Sequence, residues 1–199
     1  MKKLIFPYYQ RFIKIFEKEK NEISKVIRNA EIYHIGSTAV PDLGGKGIID
    51  ILIGIKSWQG LRNVMEKLKG LGFKHIHSKE RGRVFLSKVG PTKLGDVHIH
   101  IVIKGGKPYK ELLAFRDYLR KNKREIKRFF KLKLKWGREI KGDRAKYNKL
   151  KEKYVKEILK IGQPLDSSTH SARSGQAPNN PSTGSGYTGQ ARKLGKYEK

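Results

Sequence analysis

The spacing of apolar residues in the first part of the chain predicts one amphipathic helix followed by two strands. Large apolar side chains recur at spacings of four or seven residues between Tyr8 and Asn29, which is the period of a helix with one buried face. Glu31–Ile35 is a short strand candidate. Ile48–Ile55 is a nearly unbroken β-branched run, typical of a buried strand. A turn rich in glycine, residues 36–47, joins the two strands.

The next segment predicts one more helix and the rest of a sheet. Ser57 fits the N-cap of a helix that runs to about Lys69, where glycines end it. Phe73–His77 is a short strand candidate, and Arg83–Val89 with Val97–Ile103 resembles a hairpin. This order of elements predicts an α/β (α+β) domain with a mixed sheet flanked by helices.

Beyond Pro108 only the helical period is present, and it predicts three helices. Residues 107–160 hold 21 Lys and Arg against 7 Asp and Glu, a net charge of +14. From Gly162 onward the chain is rich in Gly, Ser, Thr, Pro and Asn, and such a segment cannot offset its ordering entropy by burial. We therefore expect a domain over 1–161, with 107–161 as its basic helical part, and a disordered tail over 162–199 that is foreign in composition to the rest.

The formal net charge of the whole chain is +28, which favours polyanionic partners such as nucleic acid or nucleotides. A lysine-rich surface of the kind found in thermophile proteins is the alternative. The absence of cysteine excludes disulfides, thiolate metal sites and cysteine nucleophiles. No long apolar run predicts a membrane span, and polar residues from Tyr8 to Lys14 interrupt any signal sequence, so we expect a cytoplasmic protein.

One acid, Asp50, stands inside the apolar run of the second predicted strand. A buried carboxylate without partners costs several kcal/mol, so a donor, a cation or a metal should compensate it. Gly36 and Ser37 lie in the preceding turn, where exposed backbone N–H groups and the missing Cβ let a phosphate approach. A plain turn is the alternative for these two residues.

Asp96, His98 and His100 alternate along a later strand and therefore share one of its faces. Imidazoles beside a carboxylate suit a divalent metal or acid–base chemistry, and a polar, solvent-facing strand side is the alternative. We expect His34 and His77 to be structural or surface residues. Three further cations lie where they could meet phosphates, although each could equally be a surface residue: Lys46, Arg81 and Arg83.

These residues also resemble a known family. The segment His34–Pro41, then Lys46, then Ile49–Ile51, is similar to the motif of the GrpB-like family (UPF0157-type) of the DNA-polymerase-β-like nucleotidyltransferase superfamily. The resemblance covers about residues 5–161. Later blocks that share it are Arg83–Leu86, His98–Val102, Phe115–Arg120 and the helix with Tyr147, Lys151 and Tyr154.

The resemblance implies a small mixed sheet of the nucleotidyltransferase type, in which Gly36 and Ser37 hold nucleotide phosphates and Asp50 binds Mg²⁺ or Mn²⁺. Active nucleotidyltransferases usually carry a second acid two residues further on, where this chain has Leu52, and a third on a later strand. The GrpB-like family itself shows this departure. This chain departs further, with Asp42 where the family usually has Gly and with glycines on both sides of Lys46.

Two hypotheses follow. The first is an enzyme that transfers a nucleotidyl group from a nucleoside triphosphate to an unknown acceptor, with Asp50, His98 and His100 as catalytic and metal-binding residues. Phosphate-binding residues in this hypothesis are Gly36, Ser37, Lys46, Arg81, Arg83 and Arg116. The second is a nucleotide- or RNA-binding module without chemistry, in which the basic helices grip phosphates and lysines 131, 133 and 135 act together. Neither hypothesis involves a membrane or fixes an oligomeric state.

Overall fold

The computed structural model describes residues 7–80, 82–92, 95–140 and 143–161, with only the backbone for 77–80, 91, 92, 95 and 144. Within these ranges the elements follow the predicted order. The strands are β1 (Glu31–Ile35), β2 (Ile49–Ile55), β3 (Lys74–Glu80), β4 (Arg83–Thr92) and β5 (Gly95–Ile103). The helices are α1 (Arg11–Val26), α2 (Leu61–Gly70), α3 (Lys107–Lys121), α4 (Lys123–Glu139) and α5 (Arg144–Ile161).

The strands form one mixed sheet in the order β1-β2-β5-β4-β3. The pairs β1–β2, β3–β4 and β4–β5 are antiparallel, and β2 pairs with β5 in parallel. The predicted mixed sheet flanked by helices, with a helical C-terminal part, is thus confirmed. The parallel pairing sets a register in which Asp50 lies beside His98 and Leu52 beside His100.

The two faces of the sheet have different coverings. Odd-numbered residues of β2 and β5, among them Ile51 and Ile99, are buried against α1 and α2 in the main core. On the other face, Leu52 and Val102 pack against partly buried residues of α3. The same face therefore holds Asp50 and both histidines, because side chains two apart on a strand point the same way.

The three C-terminal helices build a second cluster, which contains Phe129, Trp136 and Tyr154 together with Val40 and Leu43 of the turn after β1. This contact draws the turn toward α4 and α5. The first helix is shorter than predicted, ending at Val26, and Asn29 adopts a left-handed conformation (φ 62°) before β1. The predicted tail, 162–199, lies outside the described residues and stays a prediction.

None of the helices within the described ranges is both long enough and apolar enough to cross a lipid bilayer.

Candidate active site

The carboxylate of Asp50 meets both histidines of β5. Its Oδ1 lies 3.2 Å from Nε2 of His100 and 3.5 Å from Nδ1 of His98. The three side chains are mostly buried, with 24%, 12% and 18% of the side-chain surface of Asp50, His100 and His98 exposed. The structure thus brings together the acid and the two imidazoles that the sequence proposed as one site, and the parallel register of β2 and β5 is the reason.

The surroundings of this cluster keep Asp50 ionised and His100 neutral at neutral pH. Burial alone would raise the pKa of the Asp50 carboxyl, but hydrogen bonds from His100 and His98 and nearby positive charge, including Lys151, together outweigh burial and hold that pKa well below its usual range. Burial lowers the pKa of the His100 imidazole, and its hydrogen bond to Asp50 opposes this only in part. At neutral pH an ionised Asp50 therefore accepts from a neutral His100, whose Nδ1 has no hydrogen-bond partner among the described residues.

The turn after β1 lies directly against this carboxylate. Gly36 has a positive φ of 73°, and a Cβ built on it would lie 2.2 Å from Oδ2 of Asp50. Only glycine tolerates both the conformation and this approach. Ser37 follows at the start of a short 3₁₀ turn, Ser37–Ala39. The predicted closeness of the Gly36–Ser37 turn to the Asp50 carboxylate is therefore present in the fold, whereas phosphate binding by this turn stays a prediction.

A buried lysine of α4 completes this turn. Lys133 of α4 is only 2% exposed, and its Nζ donates to Ser37 Oγ and, at 3.0 Å, to the carbonyl oxygen of Gly44. Grouping it with the exposed Lys131 and Lys135 was wrong, because those two project from the opposite side of the helix. The spacing was the available signal, since Lys133 continues the buried stripe Ile126, Phe129, Trp136.

The electrostatic surroundings of Lys133 are cationic. Burial lowers the pKa of its ammonium well below the usual range, and the nearby charges of Lys151 and Lys46 lower it further, while Asp50 alone opposes them. Among the described residues, both hydrogen-bond acceptors of Nζ are neutral oxygens, and Nζ also lies 4.4 Å from the ring centre of Phe129. A buried ammonium with these partners is poorly compensated within the described residues.

The two lysines whose charges act on Lys133 come from different parts of the chain. Lys46, which the sequence analysis proposed for phosphates, places its Nζ 4.3 Å from the ring centre of Tyr147 on α5. Lys151 lies one helical turn further along α5 and is exposed. Gly45 permits the tight closure of the turn, because a Cβ there would lie 2.9 Å from Cβ of Ser37. The lysines thus converge on the Gly36–Gly45 turn from three places in the sequence.

His34 fixes the turn rather than reacting in it, in agreement with the sequence analysis. Its ring stacks on Phe16 with 4.6 Å between ring centres, and burial lowers its pKa to about 4. Thr38 Oγ1 donates to the carbonyl oxygen of Ile48 at 2.8 Å, so it accepts from Nε2 of the neutral His34 at 3.0 Å. The chain of bonds ties the turn to the start of β2.

The arginines proposed for phosphate binding have different placements. Arg116 donates to the carbonyl oxygen of His34 at 3.1 Å and pairs with Asp117 at 2.8 Å. Arg116 therefore has both a backbone carbonyl and an adjacent carboxylate as partners. Arg83 is half-buried on β4, and its charge helps to lower the pKa of His100. Arg81 lies outside the described residues.

The cluster fits a divalent metal only in part. Among the described residues no group of three or more His, Asp or Glu side chains is arranged as a metal site. Oδ1 of Asp50 already faces two imidazoles, and Leu52, at the position of a second acid, is buried against α3. Mg²⁺ is often held by one carboxylate together with phosphate oxygens and water, so Asp50 fits a metal that arrives with phosphate.

Comparisons with known proteins agree with this architecture. The family model described as GrpB protein matches residues 4–161. The glutamate-rich protein GrpB of Alkalihalophilus pseudofirmus is 31% identical over 165 residues, which span 78% of this chain and 93% of that protein. The crystal structure of conserved protein GrpB from Enterococcus faecalis superimposes with a TM-score of 0.70 and 28% identity, covering 79% of this chain and 96% of the other. A cytoplasmic RNA terminal U-transferase is a distant likeness, with a TM-score of 0.47, 13% identity and coverage of 66% and 42%.

Proposed function

The protein belongs to the GrpB family, and from the site between its sheet and α4 we propose that it binds a nucleoside triphosphate with a divalent metal. In this proposal the Gly36–Gly45 turn and Lys133 hold the phosphates, and Asp50 holds Mg²⁺ or Mn²⁺. With a suitable acceptor, the bound nucleotide would transfer its nucleotidyl group and release pyrophosphate.

The observation that carries the proposal is the buried amino group of Lys133, whose protonated form is poorly compensated and whose pKa burial lowers well below the usual range. Its acceptors are neutral, and Lys46 and Lys151 add positive charge from nearby. Such an arrangement costs stability unless an anion joins it, because a buried charge needs an opposite charge. A chain of phosphates carries several negative charges and many acceptor oxygens, so it would meet all three lysines at once.

Asp50 supports the second half of the proposal. It stays ionised at neutral pH next to the turn, so a phosphate bound there would be repelled unless a cation lies between them. A bound divalent metal would neutralise the charge that develops on the phosphate during transfer. His98 and His100 would keep Asp50 ionised and oriented through their hydrogen bonds.

The reaction we propose joins a hydroxyl oxygen of the acceptor to the α-phosphorus, breaks the bond between that phosphorus and the pyrophosphate oxygen, and releases the hydroxyl proton to water. Lys133 and Lys46 would steady the departing negative charge. Leu52 leaves Asp50 as the one acid of the site on β2, so the proposal uses a single metal rather than two. The presence of Leu52 at the position of a second acid also favours the second candidate function, which is nucleotide binding without transfer.

The test is calorimetric titration of the full chain with each nucleoside triphosphate, with and without Mg²⁺ or Mn²⁺, beside an assay for pyrophosphate release. Lys133→Met keeps the length of the side chain and removes its charge, and Lys110→Met is its control on an exposed part of α3. We expect Lys133→Met and Asp50→Asn to lose at least tenfold in affinity, with Lys110→Met unchanged.

The two candidate functions separate in the second assay. Metal-dependent pyrophosphate release that disappears in Asp50→Asn supports transfer, whereas tight binding without release supports the binding function. Failure of every nucleoside triphosphate to bind contradicts the proposal as a whole, and so does equal loss of affinity in Lys110→Met and Lys133→Met.

A further inference from the structure

The outer face of α4 carries a continuous line of cations. Its exposed positions recur every three or four residues, so they lie on one side of the helix, opposite the buried stripe that contains Lys133. From the first to the last residue the line is about 21 Å long at 1.5 Å per residue. The α4 stripe, as we name it, consists of Arg124, Lys127, Lys131, Lys135 and Arg138.

The stripe has little acidic compensation. Among the described residues its one ion pair within 4.0 Å joins Lys135 to Glu139, at 3.8 Å and in an exposed setting. The neighbouring Arg128 differs, because Glu125 and Glu157 both bind it, at 3.2 Å and 3.0 Å. The acids of this region thus bind Arg128 beside the stripe and leave most of the stripe itself uncompensated.

The outer face of α1 shows what a balanced solvated surface looks like in the same protein. There, acids alternate with the lysines, and Lys20 and Lys25 each pair with a glutamate three residues earlier, at 3.7 Å and 2.7 Å. Helix surfaces gain a few tenths of a kcal/mol from such pairs, and like charges at the same spacing cost a similar amount. A general preference for surface lysine does not explain why the α4 stripe has so few of these acids beside it.

The geometry restricts the partner. The apolar side of α4, with Ile126, Phe129 and Trp136, is buried in the second core cluster, so the helix has no apolar face to insert into a membrane. A single line of charges on a convex helix matches one phosphodiester strand rather than the two strands of a duplex. Unpaired strands are the usual targets of sequence-specific RNA-binding proteins, because the major groove of duplex RNA is too deep and narrow for side chains to read.

We propose that the α4 stripe binds the phosphate backbone of single-stranded RNA. The surface lies on the far side of α4 from the Ser37 turn, so this binding does not rest on the function proposed above and would occur with or without a nucleotide. Each cation would contact one phosphate and release counterions, which makes the affinity depend strongly on salt.

The experiment is a fluorescence-anisotropy titration of the full chain with a fluorescein-labelled, unstructured single-stranded RNA longer than the stripe, at several salt concentrations. The test variant replaces Lys127, Lys131 and Lys135 with glutamine. Its control replaces Lys14, Lys18 and Lys25 of α1 with glutamine, which removes the same charge from exposed positions of another helix. Circular dichroism and thermal unfolding establish that both variants are folded.

We expect the α4 variant to lose at least tenfold in affinity at low salt. The slope of log affinity against log salt should fall in magnitude by about 2, because each phosphate contact with a single strand contributes about 0.7. The α1 variant should keep both values. The wild type should also bind this RNA in preference to duplex RNA and to vesicles that contain phosphatidylserine.

Three results would overturn the proposal: no salt-dependent RNA binding by the wild type, equal losses in the α4 and α1 variants, or preferential binding of duplex or vesicles. Lys133→Met and Asp50→Asn should bind RNA as the wild type does, and the α4 variant should bind nucleotides as the wild type does. A failure of the nucleotide site and a failure of the stripe are therefore distinguishable.

Discussion

A Cβ atom on Gly36 would lie 2.2 Å from Oδ2 of Asp50, so the turn after β1 and the acid of β2 fit each other only because residue 36 has no side chain. This contact ties the geometry of the turn to the presence of the carboxylate. The conformation adds a second requirement, since the φ of Gly36 is +73°.

We expect Gly36→Ala to destabilise the protein by about 2 kcal/mol or more, because it combines backbone strain with the collision at Asp50. Denaturant unfolding measures the change. Gly70→Ala is the control, because a Cβ there meets no atom within 4 Å and the residue lies at the end of α2. The double variant Gly36→Ala with Asp50→Ala should recover part of the loss, and additive losses would contradict the collision.

Because of Lys133, the free energy of unfolding should increase as the pH becomes alkaline. Its pKa in the folded protein lies below that of the unfolded chain, through burial and through Lys151 and Lys46, so between the two values the unfolded state binds more protons. The free energy of unfolding should therefore rise as pH increases from the depressed pKa toward about 10.4, the ordinary lysine value. Urea unfolding across this range measures the rise, and Asp50, the opposing charge, stays ionised throughout.

The matched variant removes this dependence. Lys133→Met should be at least as stable as the wild type at neutral pH, because an apolar side chain of similar length replaces a buried amino group that is poorly compensated when protonated. Its rise in stability toward alkaline pH should be smaller than that of the wild type. An identical pH profile in the two proteins would show that Lys133 is not the group responsible.

His34 should destabilise the folded state in mild acid. Burial lowers the pKa of His34 from 6.5 to about 4. Between these two pH values His34 is protonated in the unfolded state and neutral in the folded state. Stability should be lost as pH falls from 6.5 to about 4, by up to about 3 kcal/mol, since each pKa unit corresponds to 1.36 kcal/mol. His100, with a lowered pKa, contributes in the same direction.

The control for His34 is the exposed His75 of β3. In urea unfolding from pH 7 to pH 4, His34→Gln should show a weaker loss of stability than the wild type, and His75→Gln should follow the wild type. If His75→Gln changes the profile as much as His34→Gln does, burial of His34 is not the cause.

A buried ion pair anchors α1 to β4. Glu19 has 8% of its side chain exposed, and its Oε2 lies 2.7 Å from Nζ of Lys88. The two groups form an ion pair, but the angle between them does not meet the geometry of a hydrogen bond. Lys88→Met should cost about 3 kcal/mol or more, because it leaves a carboxylate buried without its cation. Adding Glu19→Leu should restore most of the stability measured by chemical unfolding. A double variant no more stable than Lys88→Met alone would contradict this account.

The secondary structure and part of the site followed from the sequence by local rules. Alternation along a strand put His98 and His100 on one face, opposite Val97 and Ile99, and the structure has this arrangement. The apolar run around Asp50 indicated a buried strand that needed compensation. These predictions succeeded because the periods of strands and helices are properties of neighbouring residues.

Only the tertiary structure decided which distant residues meet. The parallel pairing of β2 with β5 brings Asp50 beside His98, across 47 residues of intervening chain, and no local pattern specifies a parallel partner. Packing of α4 on the turn buries Lys133 against Ser37. The spacing of Lys133 along α4 is that of a core residue, but a lysine is normally expected on the surface. The sequence by itself determined the elements and the faces of the strands, whereas the meeting of a carboxylate, two imidazoles and a buried ammonium required the long-range packing of sheet and helices.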